Sequence, residues 1–305
     1  MKCLVTGGAG FVGSHLVDKL IKEGHKVLVV DNLSTGRKEN LNPKAKFYKI
    51  DIRDPQISRI FKTEKPEVVF HCAAQTEVQK SIENPKENAD TNVSGALNIL
   101  ENAKRFGTKK IIFFSSVGIY GESFSVPIKE NYPLHPLSPY AITKLVVEKY
   151  LFYYQSLGLN FVSLRYANIY GPRQLNSAEG GVVPIFINAI LNKKNPIIYG
   201  AGEQTRDFLF VEDAVDSAVL CLRAQPGSIY NVGTSKETTI NELLILISQK
   251  IKSTIKPHRA RVRLGEVRKS CLDFSKIKKE LNWQPKNNLV EGLEKTIDWF
   301  KKYYV

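Results

Sequence analysis

Tyr140 and Lys144 stand four residues apart in a stretch, 139–156, that reads as a helix, so the two share one face. An ammonium beside a phenol favours the phenolate and lowers its pKa. A phenol that ordinarily titrates near pH ~10 could then take a proton near neutrality. Upstream, Phe113-Phe114-Ser115-Ser116-Val117-Gly118-Ile119-Tyr120-Gly121 places hydroxyls at the end of an apolar run. Phenol, ammonium and hydroxyl together suit a reaction in which a proton moves while a hydride moves. By itself, Tyr and Lys at helical spacing also describe an ordinary solvated helix face.

The elements around the first glycines narrow the choice. Residues 2–6 read as a buried strand and 11–21 as a helix with apolar Phe11, Val12, Leu16, Leu20 and Ile21. Gly7, Gly10 and Gly13 fill the turn between them. Such glycines permit a tight turn, let backbone approach a pyrophosphate, and let helix pack on strand. The helix N-terminus adds free N–H groups and partial positive charge. A second apolar run, 26–30, ends in Asp31, about 20 residues past the turn, where a carboxylate holds an adenosine ribose diol. It would repel a 2′-phosphate, so NAD is expected rather than NADP, although Arg37 and Lys38 follow closely. As the end of a strand, Asp31 is expected to lie outside the core.

The chain has 305 residues, enough for one large α/β unit or two unequal domains. Starting within a strand, it shows no room for a signal peptide, and no apolar run approaches the ~20 residues of a bilayer span. Cys3, Cys72, Cys221 and Cys271 are scattered, which predicts free thiols in a reducing cytoplasm and no metal site. The net charge of +14 raises the question of nucleic acid. Acidic residues interrupt the basic C-terminal third, and no nucleic-acid signature accompanies it, so most of the excess is expected to be solvated surface.

Strand and helix patterns alternate through the first half. Further strands are predicted at 47–50, 67–71, 110–115 and 161–165. Helices are predicted at 56–61, 92–105, 139–156 and 211–222. This alternation predicts an α/β fold with a doubly wound parallel sheet, its ligands at the carboxyl ends of the strands. From about Ala167 the pattern loosens into Gly171-Pro172-Arg173, Gly180-Gly181 and Gly200-Ala201-Gly202. The expected organisation is a cofactor-binding domain at 1–166, to which 211–232 returns. A smaller, mainly C-terminal substrate domain would comprise 167–210 and 233–305.

The chain resembles the extended short-chain dehydrogenase/reductase family, and within it the nucleotide-sugar epimerases that act on UDP-hexoses. The resemblance runs nearly end to end. It is carried by 6–14, Asp31-Asn32-Leu33-Ser34, Asp51-Ile52-Arg53, His71-Cys72-Ala73-Ala74-Gln75, Ser115-Ser116, Tyr140 with Lys144, Arg165-Tyr166-Ala167-Asn168 and Arg206-Asp207-Phe208. It implies a Rossmann sheet and bound NAD. Tyr140 would be the acid/base, Lys144 would hold the nicotinamide ribose, and Ser116 would meet the sugar 4-hydroxyl. Gly7, Gly10, Phe11, Val12, Gly13, Asp31 and Asn32 would line the cofactor. Asp51 and Ile52 would contact adenine, and Ala73, Ala74 and Gln75 would lie along the cofactor. Asn168, Arg206 and Arg263 match groups on the nucleotide diphosphate. Val182 and Tyr199 would flank uracil. Glu266 stands where the family often has Asp on the ribose. Ser270 falls where members restricted to plain hexoses carry a bulky Tyr.

The implied activity is 4-epimerisation of UDP-glucose and UDP-galactose, extending to UDP-GlcNAc and UDP-GalNAc if Ser270 leaves room for an acetamido group. A glucuronate 4-epimerase remains an alternative. The family's dehydratases and decarboxylases, less favoured alternatives, keep carboxylates directly after the position of Ser116, where this chain has Val117 and Gly118. A non-catalytic NAD-binding protein is the alternative of another class; it would have no use for a tuned phenol. The resemblance also implies a homodimer through the helices at 92–105 and 139–156, the second rich in Tyr150, Phe152, Tyr153 and Tyr154. No nucleic-acid or membrane partner is expected.

Overall fold

A computed structural model describes residues 1–174, 181–262 and 267–304. Its centre is a seven-stranded sheet in which every pair is parallel, in the order β11-β6-β5-β4-β1-β2-β3. The strands are β1 (Lys2–Thr6), β2 (Lys26–Asp31), β3 (Lys46–Lys49), β4 (Val68–His71), β5 (Lys110–Ser116), β6 (Asn160–Tyr166) and β11 (Ser228–Val232). The chain winds outward from β1 to β3, then crosses back to β4 and winds the other way. The order therefore reverses between β1 and β4, which opens a crevice at their carboxyl ends.

Period-two alternation divides the strands between two cores. Cys3, Val5, Val29, Phe70, Ile112 and Phe114 face one core. Leu4, Leu28, Val30, Val69, Ile111 and Phe113 face the other. Helices cover both faces: α1 (Phe11–Lys22), α2 (Ile57–Glu64), α3 (Val78–Glu83), α4 (Pro85–Ala89), α5 (Gly95–Arg105), α6 (Pro139–Ser156) and α8 (Val211–Leu220). Helix α6 starts where Pro139 presets the backbone and the Ser138 side chain accepts from the Ala141 amide at 3.2 Å.

The helix predicted at 92–105 is interrupted. Residues 90–94 form a π-helical turn between α4 and α5. A π turn inserts a residue into the helical repeat and re-aims the side chains on it, here Asn92. The segment leading into it, including α3 and α4, is polar and lacks a sustained apolar period, so sequence patterning gave it no structure.

Beyond β6 the strands outside the main sheet are short. Strand β7 (Asn168–Tyr170) pairs in parallel with β10 (Phe208–Phe210). Strand β8 (Ile197–Tyr199) pairs with β13 (His258–Ala260), and β9 (Thr205–Arg206) pairs antiparallel with β12 (Thr238–Thr239). Helices α7 (Val182–Leu191), α9 (Ile240–Ile251), α10 (Ser275–Leu281) and α11 (Leu289–Tyr304) complete this part. A capping box of Thr239 and Glu242 fixes the start of α9. Cys271 and Leu272 do not form a strand; Leu272 makes one parallel bridge with Ile128.

A tight constraint on the sheet lies at β1 and α1. A Cβ on Gly13 would overlap the Gly7 carbonyl oxygen, so only glycine lets the helix begin this close to the turn. Gly13→Ala should destabilise the protein by about 1–3 kcal/mol, the usual cost of overpacking. Urea denaturation measures it, and an unchanged midpoint would show that the turn yields without cost.

Candidate functional site

The turn from β1 into α1 is built to bring a ligand against backbone. Gly7 has φ +70°, and a Cβ there would lie 2.9 Å from the Ala73 backbone nitrogen, across the crevice. Gly10 is the N-cap of α1 in extended conformation and makes no side-chain cap, while Phe11 and Val12 open the first turn half-buried. The first amides of the helix are thus left for a ligand.

Asp31 departs from expectation. It is 8% exposed rather than outside the core, and its carboxylate accepts from the Ala9 amide at 3.0 Å and the Leu33 amide at 2.8 Å. Burial pushes its pKa up, against the pull of those two amides. It holds the glycine turn as well as presenting oxygens at the end of β2. Asn32 donates to Asp51 at 2.8 Å, and Arg53 grips Asp51 with two nitrogens, each at 2.9 Å, holding that carboxyl well below its usual range. The Ile52 side chain is in the core with Ala96 and Ile99, and its carbonyl accepts from Asn98 at 2.7 Å. Ala73, Ala74 and Gln75 follow β4 half-buried, with the Ala73 amide donating to Thr6 Oγ1 at 3.2 Å.

Tyr140, Ser116 and Lys144 come together beside this cradle. The Ser116 hydroxyl neighbours the Tyr140 phenol and accepts from the Gly118 amide at 3.1 Å. Lys144 is 4% exposed; its Nζ donates to the Phe114 carbonyl at 2.7 Å and lies 5.8 Å from the Tyr140 ring centroid. The electrostatics correct the sequence expectation. Burial pushes the phenol up to about 12, with Ser116 pulling the other way, and pushes Lys144 down to about 8. Helical spacing put the ammonium near the phenol, but desolvation of both groups outweighs that pairing.

A network missed at the sequence level links the cofactor loop to α6. Asn92, on the π turn, accepts from the Gln75 amide at 2.7 Å and donates to Thr143 Oγ1 at 3.0 Å. Asn88 donates to the Gln75 carbonyl at 3.2 Å and to the Gln75 side chain. Thr143 donates to the Tyr140 carbonyl at 2.7 Å. The available signal is Asn84, Asn88 and Asn92 at four-residue spacing, whereas the sequence pattern marks Asn92 only as a helix start.

On the other side of the crevice, Asp207 is fully buried. It accepts from the Thr234 amide at 2.9 and 3.0 Å, the Thr234 hydroxyl at 2.6 Å and the Leu272 amide at 3.2 Å. Burial raises its carboxyl to about 6. Its neighbour Arg206 is half-buried and donates to the Thr205 and Val267 carbonyls, both at 2.8 Å. The Asn168 amide donates to the Asp207 carbonyl at 2.9 Å. Asp207 therefore ties together the segments bearing Asn168, Arg206 and Ser270. Ser270 is buried. Tyr199 ends β8 half-buried, its carbonyl accepting from Gln204 at 3.1 Å, and Val182 opens α7 half-buried. Arg263 and Glu266 lie outside the described residues.

Residues 3–233 match the family model described as the NAD dependent epimerase/dehydratase family. A UDP-glucose 4-epimerase from Mycolicibacterium smegmatis is 41% identical over 99% of each chain. A UDP-glucose 4-epimerase of Thermotoga maritima, solved with UDP-glucose, superposes with a TM-score of 0.97 at 45% identity, covering 99% of both chains. The Thermus thermophilus UDP-glucose 4-epimerase, solved with NAD, gives a TM-score of 0.95 at 38% identity over 99% of this chain and 100% of its own. With a family match across most of the chain and these relatives spanning nearly all of it, the chain belongs to the NAD-dependent epimerase/dehydratase family.

Proposed function

We propose that the chain is an NAD-dependent UDP-hexose 4-epimerase. The observation that carries this reading is the contact of Tyr140 with Ser116 beside buried Lys144, at the edge of a glycine cradle with no room for side chains. The cradle fits a dinucleotide: a free helix N-terminus for pyrophosphate, and Asp31 oxygens for a ribose diol. When bound, NAD supplies the acceptor, and then the donor, of the C4 hydride.

The chain's own residues do the rest. Tyr140 takes the proton of the sugar 4-hydroxyl and later returns it, and Ser116 orients that hydroxyl. Lys144 holds the nicotinamide ribose. Its charge and that of oxidised nicotinamide both favour the phenolate, opposing the burial that raises the phenol. Arg206 and Asn168 hold the diphosphate while the 4-keto sugar turns over between the two transfers. Arginine's planar fork suits that anion. The two positions after Ser116 carry no carboxylate, which supports epimerisation over dehydration. In this reading 1–166 with 211–232 bind the cofactor, and 167–210 with 233–305 bind the UDP-sugar.

We also place the protein in the cytoplasm as a homodimer. Four free cysteines support the first, and no described helix is long and apolar enough to cross a membrane. For the second, Tyr150, Phe152 and Tyr153 on α6 are exposed while Tyr154 is buried. A shallow apolar depression of about 340 Å³ lies among Val146, Lys149, Tyr150 and Tyr153. Sedimentation at micromolar concentration should give a dimer, and Tyr153→Glu should yield a monomer; a wild-type monomer would refute the assignment.

Incubation with UDP-glucose, UDP-N-acetylglucosamine and UDP-glucuronate separately should give the 4-epimer of the first, and denaturation should release NAD. Tyr140→Phe keeps the ring and removes the proton acceptor. Turnover should fall by about 10²–10⁴-fold, the usual contribution of a general acid–base group, with little change in UDP-sugar affinity. Ser116→Ala should cost less. Near-wild-type turnover in Tyr140→Phe would sink the reading.

Ser270 would set substrate breadth. Its small side chain leaves space for an acetamido group at C2 and offers it a hydroxyl. Both UDP-glucose and UDP-N-acetylglucosamine should then be epimerised. Ser270→Tyr should remove activity on the second and spare the first, because a clash discriminates where a missing contact does not. Conversion of UDP-N-acetylglucosamine by the tyrosine variant would place the gate elsewhere.

A further inference from the structure

Behind the reacting groups lies a buried ionic joint. Arg165 on β6 is 3% exposed and Glu148 on α6 is 2% exposed. Arg165 Nε donates to Glu148 Oε1 at 3.1 Å and Nη2 donates to Oε2 at 2.8 Å, while Ser163 Oγ donates to the same Oε1 at 2.9 Å. The remaining nitrogen, Nη1, donates to the Tyr120 phenol oxygen at 2.8 Å and to the Glu130 carbonyl at 3.0 Å. Tyr120 in turn donates to Asn231 Oδ1 at 2.7 Å.

One guanidinium therefore grips two elements. Glu148 is one helical turn beyond Lys144 and two beyond Tyr140 on α6. Tyr120 ends the short 3₁₀ turn, Val117–Tyr120, whose N-cap is Ser116. A buried ion pair is weak evidence for stability, because desolvating two charges offsets most of their attraction and apolar replacements often do as well. What an apolar replacement could not do is hold helix and turn at a fixed separation through directed bonds.

We propose that Glu148, Arg165 and Tyr120 are positioning residues that fix the approach of Tyr140 to Ser116, and that the Glu148 carboxylate is the counter-charge of Lys144. The inference rests on the reading of Tyr140, Ser116 and Lys144 as the reacting groups.

The surroundings of Lys144 support the second half. Tyr140 and Glu148 face it from α6, His71 and Cys72 from the end of β4, the Phe113 ring and Phe114 carbonyl from β5, and Arg165 stands behind Glu148 on β6. Burial pushes Lys144 down to about 8, against the pull of Cys72 and Glu148. Burial also raises the Cys72 thiol far above neutrality, and burial with the nearby ammonium drops His71 to about 3. Near neutral pH both are uncharged, so among these groups Glu148 is the anion. Removing its charge lowers the Lys144 pKa further, and an alkaline limb that reports loss of the ammonium moves to lower pH.

The test compares kcat, KM and bound NAD retained after gel filtration across neutral and alkaline pH, with thermal unfolding as a check on folding. The variants are Tyr120→Phe, Glu148→Gln, Glu148→Asp and Tyr140→Phe. Tyr120→Phe should lower kcat roughly ten- to a hundredfold with KM little changed, the scale on which a small misplacement acts. Glu148→Gln should shift the alkaline limb of both kcat and NAD retention by about one pH unit to lower pH. Glu148→Asp should restore the limb but not kcat, because it keeps the charge and shortens the reach. If Glu148→Gln does not fold, Tyr120→Phe and Glu148→Asp decide. Wild-type kcat in a folded Tyr120→Phe, or an unshifted limb in a folded Glu148→Gln, overturns the inference when Tyr140→Phe is inactive. Full activity in Tyr140→Phe instead overturns the parent reading, and this inference with it.

Discussion

The approach of bare backbone at the β1–β4 switch point governs everything built on it. Gly7 sits against the Ala73 backbone and Gly13 against the Gly7 carbonyl, so the first helix starts as near the sheet as covalent geometry allows. That proximity aims the helix N-terminus at the crevice. It also brings the loop after β4, with Ala73, Ala74 and Gln75, alongside the glycine turn. Asp31 then locks the turn by accepting from the Ala9 amide, which is why a residue suited to bind a ribose is also part of the folded framework. The ligand site and the sheet are not separable here; one backbone arrangement makes both.

Desolvation is the second organising force. The phenol is raised and the ammonium lowered, so burial drives both toward neutral forms that would leave the pair inert. Opposing this takes charge, and each source of charge has a place in the fold. Glu148 supplies it permanently from within α6, and oxidised nicotinamide would supply it only when bound.

Much of this was legible in the sequence because parallel strands buried on both faces read as apolar runs. Strands 2–6 and 110–115 were located to within a residue, and the helix at 139–156 to the residue. The glycine turn and the Tyr140–Lys144 spacing were visible for the same reason: both are local. What was not legible depends on contacts far apart in sequence. The two- and three-residue strands β7 to β10 exist only because distant partners pair with them. The π turn at 90–94 interrupts a pattern that propensity alone continues smoothly. Asp31 ends its strand as expected but is buried, because its partner, the Ala9 amide, belongs to another turn. The direction of the Tyr140 shift was misjudged because helical spacing reports which groups are neighbours and not how dry their surroundings are.

The same distinction separates the two halves of the site. The cofactor side is assembled from consecutive βα units, and its geometry follows from the sheet. The segments proposed to meet the sugar nucleotide have only two-stranded sheets, β7 with β10 and β9 with β12, and Asp207 ties them together. That carboxylate gathers donors from Thr234 and Leu272 while its own backbone accepts from Asn168. With only short strands to fix Arg206, a buried carboxylate saturated with hydrogen bonds does what ladder hydrogen bonds do elsewhere in the molecule. Sugar rotation between two hydride transfers requires a diphosphate anchor that stays fixed while the pocket around the ring stays open. On the proposed reading, in which Arg206 holds the diphosphate, the hydrogen-bonded carboxylate of the adjoining Asp207 fixes the backbone on which that arginine stands.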